Sequence, residues 1–185
     1  LSATIELYRT KERQVSLEKE NEQLEKLMNT DDLTQVFNRR CFNNDIINQT
    51  LQNKSSVAVA MIDIDYFKQY NDIYGHQMGD QALIEVGKCM NKYNREGIVR
   101  FYRYGGDEFL VILPAYQKDG AVSIARDIKD AFDHVVLHAG NYNDIVRLSI
   151  GVAGIRDEES VQDLMNKCDQ RMYISKRDGK DRITY

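Results

Sequence analysis

Two short acidic clusters carry the groups best placed to do chemistry: Asp63-Ile64-Asp65, which ends an apolar run, and Asp107-Glu108, which follows Gly105-Gly106 directly. The glycines lie between two β-prone runs, residues 98–104 and 109–113. Paired glycines tolerate positive φ, so the pattern predicts a tight hairpin turn with both acids at its tip. Adjacent carboxylates at a sharp turn repel each other, and a bound divalent cation would relieve that repulsion. The bare backbone of Gly105 and Gly106 would let a large anion come close. Residues 56–62 read as a short strand buried on both faces. Asp63 and Asp65 then fall at the rim of a sheet, where ligands bind. If the hairpin pairs beside this strand, Asp63 and Asp107 converge on one metal. Oxygen-only donors favour Mg²⁺ or Mn²⁺ over zinc. Taken alone, Asp63 and Asp65 read better as helix-capping acids; the hairpin acids tip Asp63 to metal binding, with Asp65 the weaker candidate and a cap for the following short helix.

The elements that must position these acids follow from periodicity. Residues 39–51 predict a helix with Phe42, Ile46, Ile47 and Leu51 on one side. A short helix over 66–74 ends at Gly75, and a longer one over 80–93 turns Leu83, Val86, Gly87 and Met90 inward. After the hairpin come a helix over about 121–137, a strand over 145–154, a helix over about 160–175 and a closing strand over 183–185. Strands and helices thus alternate as β-α-α-β-β-α-β. That order suits an α+β, ferredoxin-like antiparallel sheet with helices on one face. Residues 1–29 are rich in Glu, Lys, Gln and Leu and contain no Gly or Pro. Leu7, Gln14, Asn21 and Met28 recur at seven, with Thr10, Leu17 and Leu24 interleaved. This is a heptad seam for a parallel dimeric coiled coil, with a helix packed on its own domain as the alternative. The expected division is a signalling helix over 1–29 and a catalytic domain over 30–185.

Gly105-Gly106-Asp107-Glu108-Phe109 resembles the signature of the GGDEF family, the bacterial diguanylate cyclases. Other segments agree in order and spacing: Asp32-Leu33-Thr34, Asn38-Arg39-Arg40, Asp63 to Lys68, Asn71-Asp72, Gly75-His76, Gly79-Asp80, and Asp169 with Tyr173 and Lys176. The resemblance implies a nucleotidyl-cyclase-type fold that condenses two GTP molecules into cyclic di-GMP and two pyrophosphates. It implies that Asp63, Asp107 and the Ile64 carbonyl hold the metals. Glu108 is implied as a further ligand or as the group that receives the 3′-hydroxyl proton. Asn71 and Asp80 would read guanine, whose N1–H and N2–H₂ edge suits a carboxylate and an amide. In isolation, Asp80 also fits a helix N-cap and Asn71 a turn. Leu33 and Phe67 would line the guanine pocket. Amides around Tyr66, Phe67 and Lys68, at a helix start, would meet the triphosphate, with Lys176 and Lys180 as cations. Lys180-Asp181 stands where the family usually shows Arg-Asn; lysine keeps the charge but loses the bidentate fork. The family's Arg-x-x-Asp product site maps onto Glu96 and Val99, neither of which matches, so no inhibition by product through that site is expected.

Composition limits the alternatives. The chain has 185 residues, 42% hydrophobic and 29% charged, with net charge −4. That is one domain plus an appendage, and an acidic balance argues against nucleic-acid binding. No apolar run approaches the roughly 20 residues that span a bilayer. Leu1 in place of an initiator Met leads to the expectation of a piece of a longer protein, and the resemblance implies an upstream sensory domain. Cys41, Cys89 and Cys168 fit neither a zinc site nor a disulfide framework, which suits a reducing cytoplasm where GTP is available. The alternative function is a non-catalytic GTP- or cyclic-di-GMP-binding regulatory domain.

Overall fold

A computed structural model describes residues 2–53, 57–93, 99–114, 117–139, 142–155 and 159–185. Six strands form one mixed sheet in the order β1-β3-β4-β2-β7-β8. They are β1 (Phe37–Asn38), β2 (Val57–Ile64), β3 (Arg100–Gly105), β4 (Glu108–Pro114), β7 (Leu148–Gly154) and β8 (Ile183–Thr184). The four central strands are antiparallel, with β3-β4-β2-β7 in ferredoxin-like order. The short edge strands β1 and β8 run parallel to their neighbours. A separate hairpin pairs β5 (Val136–Ala139) with β6 (Tyr142–Ile145).

β2 is buried along its whole length. Its residues alternate between two cores, because successive side chains leave a strand on opposite faces. Ala58, Ala60, Ile62 and Ile64 join one core with Leu83, Val86 and Met90 of α4 (His76–Tyr93) and Ala125, Ile128 and Phe132 of α5 (Gln117–Phe132). Val57, Val59 and Met61 join the other with Phe42 and Ile46 of α2 (Arg39–Asn53) and Leu164, Cys168 and Met172 of α6 (Val161–Arg177). Helices therefore cover both faces, not one. The physical reason is visible in β2 itself, which is apolar on both sides and must bury both.

Several boundaries differ from those read in the sequence. Only Phe42 and Ile46 of the expected α2 stripe are buried; Ile47 and Leu51 are exposed, and Cys41 takes the third inward place. α5 ends at Phe132, and residues 136–139 pair as β5 instead of continuing the helix. The strand expected over 145–154 begins at Leu148, with Ile145 belonging to β6. α4 starts at His76, so Asp80 lies inside the helix and does not cap it. α6 is capped as a box: Ser160 Oγ accepts from Asp163 N, while the Asp163 carboxylate accepts from Ser160 N.

α1 (Ser2–Asn29) is helical throughout, and its described side chains from Glu6 to Met28 are exposed. Leu7 is 72% exposed and Leu17 52%. The helix makes no buried packing on the sheet domain with those side chains, against that part of the alternative reading. Its last turn is tied to the sheet instead: Asn38 Nδ2 donates to the carbonyls of Met28 at 2.8 Å and Thr30 at 3.2 Å.

Candidate active site at the β2 end and the glycine turn

The β2–β4 register sets Asp63 directly opposite Glu108. Asp63 continues the row of Val57, Val59 and Met61, and Glu108 that of Ile112 and Leu110, so both acids stand on the α2/α6 side of the sheet. Like charges facing each other across strands are destabilising. Asp107 adds a third carboxylate one residue earlier, and its carbonyl accepts from Ile64 N at 3.4 Å. The turn forms where the glycines predict it, although only Gly106 is left-handed, at φ 53. Gly105 ends β3, next to a register irregularity, so the turn needs one special conformation and not two.

Asp63 is 6% exposed. Burial first, then the charges of Asp107 and Glu108, push its carboxyl up from 3.8 to about 6, against the opposing bond and charge of Lys176. Lys176, in the last turn of α6, places Nζ 2.7 Å from Asp63 Oδ2. The cation that the resemblance assigns to the triphosphate is thus paired with Asp63 in the nucleotide-free chain. Among the described residues no three His, Cys, Asp or Glu side chains are grouped closely enough to hold a metal. The donor set nevertheless fits a hard divalent cation: only oxygens are offered, and the carboxylates carry more negative charge than one lysine balances.

Asp65 does not cap the following helix. Its Oδ1 accepts from Ser149 Oγ at 2.7 Å and its Oδ2 from Asp181 N at 2.8 Å. The short helix α3 (Phe67–Tyr74) starts after Tyr66, which is left-handed and gives no side-chain cap. The first amides of α3 therefore keep free donors, as any helix start does. Phe67 and Leu33 are partly buried against the α4/α5 core, while Lys68 is exposed.

Asn71 lies in α3, not in a turn. Its Oδ1 is buried without a hydrogen-bond partner, an exception among buried polar atoms. Gly79 of α4 faces it so closely that a Cβ there would fall 1.7 Å from Asn71 Oδ1. Any larger residue at position 79 would expel the amide. Asp80 follows at once and is exposed. The structure thus sets Asn71 against Gly79, the residue before Asp80, across the α3–α4 pair.

Sequence reasoning missed the support of the turn. Arg103 donates to Asp31 Oδ1 at 3.0 Å and twice to the Gly106 carbonyl, at 3.0 and 2.9 Å. Burial works against the Asp31 charge, but bonds from Thr34 and Arg103 outweigh it and hold its carboxyl below the usual range. The glycine turn is thereby pinned to the segment that leaves α1. An Arg two residues before a Gly-Gly turn was the available signal. The thiols take no part: burial pushes Cys41 up to about 11 and Cys168 up to about 12. Val99 is buried, and Glu96 lies outside the described residues.

A ferredoxin-like sheet with paired acids at one strand end and a glycine hairpin beside them defines a nucleotidyl-cyclase type of domain. Residues 28–182 match the model of the "Diguanylate cyclase, GGDEF domain" family, and the chain belongs to that family. It is 34% identical over 139 residues to Diguanylate cyclase A of Treponema denticola, covering 75% of this chain and 37% of the relative. The chain spans between 34% and 52% of the length of several such curated relatives. The crystal structure of diguanylate cyclase SiaD with its activator SiaC from Pseudomonas aeruginosa is 29% identical, with a TM-score of 0.84 over 97% of this chain and 70% of that one. The coiled coil and GGDEF domain of DgcB from Caulobacter crescentus, in complex with c-di-GMP, is 26% identical with a TM-score of 0.80, covering 100% of this chain and 99% of that one. No described helix is long and apolar enough to cross a membrane.

Proposed function

We propose that the chain is a diguanylate cyclase domain that condenses two GTP into cyclic di-GMP with release of two pyrophosphates, as a homodimer with Mg²⁺ or Mn²⁺ in the cytoplasm. The observation that carries the reading is the opposition of Asp63 and Glu108 beside the Gly105–Gly106 turn. Two carboxylates face each other there, with the Asp107 charge close enough to act on Asp63, and stability alone gives no reason to keep them so. Asp63, Asp107, Glu108 and the Ile64 carbonyl would hold the metal. When bound, it would neutralise phosphate charge and acidify the attacking 3′-hydroxyl. Glu108 either completes that donor set or takes the hydroxyl proton. Lys176, paired with Asp63 in the nucleotide-free chain, would turn to the triphosphate if a cation took its place on that carboxylate. The first amides of α3, with Lys68 and Lys180, meet phosphate oxygens.

The unpartnered Asn71 Oδ1 accepts a donor from guanine, and Asp80 takes the N1–H and N2–H₂ edge. Adenine lacks that edge and would leave both groups unpaired. Leu33 and Phe67 give the ring its apolar wall. Each domain holds one GTP, so two must face each other. The exposed α1 seam of Leu7, Leu17 and Leu24 would bring them together and relay an upstream sensory domain's signal, by raising local concentration.

Mass-spectrometric product analysis after incubation with mixed GTP, ATP and Mg²⁺ tests the reading. Only cyclic di-GMP should form, with activity per subunit rising with protein concentration. Nucleotide binding without turnover would instead support the regulatory-domain alternative, and a hybrid product would refute the guanine contacts.

A further inference from the structure

We propose that Tyr66 is a positioning residue that aims the Lys180 ammonium at the phosphate end of the nucleotide site. The inference rests on the reading above, in which the triphosphate lies against the start of α3. Lys180 Nζ stands 3.6 Å from the centroid of the Tyr66 ring. A cation over an aromatic face is attracted by the ring's negative quadrupole.

Both ends of this contact are set by the backbone. Tyr66 has φ 63 and ψ 15, directly before α3. A bulky side chain in that left-handed region is held against its own preference. Lys180 and Asp181 are left-handed as well, at φ 63 and 49. Three elements clamp their loop. Asp65, itself bonded to Ser149 of β7, accepts from Asp181 N at 2.8 Å. Lys129 of α5 and Arg147 reach the Asp181 carboxylate at 2.8 and 3.4 Å. Lys180 N donates to the Ser175 carbonyl of α6 at 2.9 Å.

The side chain that leaves this loop thus has a fixed root, and the Tyr66 ring fixes its head. The reason it needs fixing is chemical. An arginine would bring a planar fork that orients itself on phosphate oxygens, whereas lysine is a point charge on a flexible stem. A stem already held over the Tyr66 ring, directly before α3, loses less rotamer freedom when the nucleotide arrives. Tyr66 thereby compensates for the lysine at position 180, and Asp65 serves the same end by anchoring the loop.

The test is binding of the α,β-methylene analogue of GTP, whose pyrophosphate cannot leave, with Mg²⁺ by titration calorimetry. Tyr66→Asn removes the ring and introduces a residue that accepts the left-handed conformation, so the fold is kept. Tyr66→Phe keeps the ring. The expected Kd rises about three- to tenfold in Tyr66→Asn and returns to the wild-type value in Tyr66→Phe. In a Lys180→Met background, Tyr66→Asn should add no further loss. Equal or tighter binding by Tyr66→Asn overturns the inference while leaving the nucleotide reading intact. A loss that persists in full on top of Lys180→Met also overturns it, since the ring would then act without the lysine. Failure of the wild-type chain to bind the analogue overturns the GTP reading and this inference with it.

Discussion

Asp45 and Asp63 are two carboxylates on the α2/α6 side of the same sheet, and their surroundings are opposite in kind. Asp45 Oδ2 accepts from Arg100 Nη1 and from the Tyr102 hydroxyl, each at 2.7 Å. Burial opposes the Arg100 charge, yet Asp45 more than compensates and raises its pKa; burial and the Asp45 bond together push the Tyr102 phenol well above its usual range. The cluster is charge-balanced and supplied with donors. Asp63 has one half-exposed lysine against two further carboxylates. A group that serves stability is surrounded by its complements, as Asp45 is. A group left with like charges is poised for something that arrives later.

The contrast breaks most directly at Asp63. Asp63→Asn should lower cyclic di-GMP formation by about a hundredfold or more, while the nucleotide-free domain melts no lower at pH 8. Retained turnover would remove Asp63 from the chemistry, and a marked fall in Tm would make it a structural acid like Asp45.

Asp45→Ala should do the reverse. It strands the Arg100 and Tyr102 donors, and because the pair is partly exposed the loss is about 2 kcal/mol, seen in urea unfolding. The KM for GTP of the remaining folded protein should not move. A changed KM would tie α2 to the nucleotide site.

The smallest expected effect sharpens the comparison through pH. The Asp63 carboxyl titrates at about 6 in the folded chain and at 3.8 ordinarily, so the folded state holds its proton longer. Nucleotide-free stability contributed by this group therefore falls as pH rises between those two values. A divalent cation needs the deprotonated form. Mg²⁺ should raise Tm by about 2–4 °C above pH 7 and by progressively less below 6. A Mg²⁺ shift that is the same at pH 5 and pH 8 would detach the cation from Asp63.

Local sequence determined a good deal. Residues 57–62 are apolar without interruption, the Gly105–Gly106 turn has few other uses, and the ordered segments from Asp32 to Lys176 spelled the family. Such features depend on neighbours in the chain, and periodicity and turn chemistry report them faithfully. What only the tertiary structure decided was which distant groups meet. Asp63 faces Glu108 because of the β2–β4 register, and Lys176 lands on Asp63 because α6 crosses that face. Arg103 braces the turn against Asp31 across 72 positions of chain. Asp65 looked like a helix cap and instead accepts from the loop at Asp181. Each of these is a long-range pairing chosen by burial and charge compensation over the whole fold, and a window of sequence carries no measure of either.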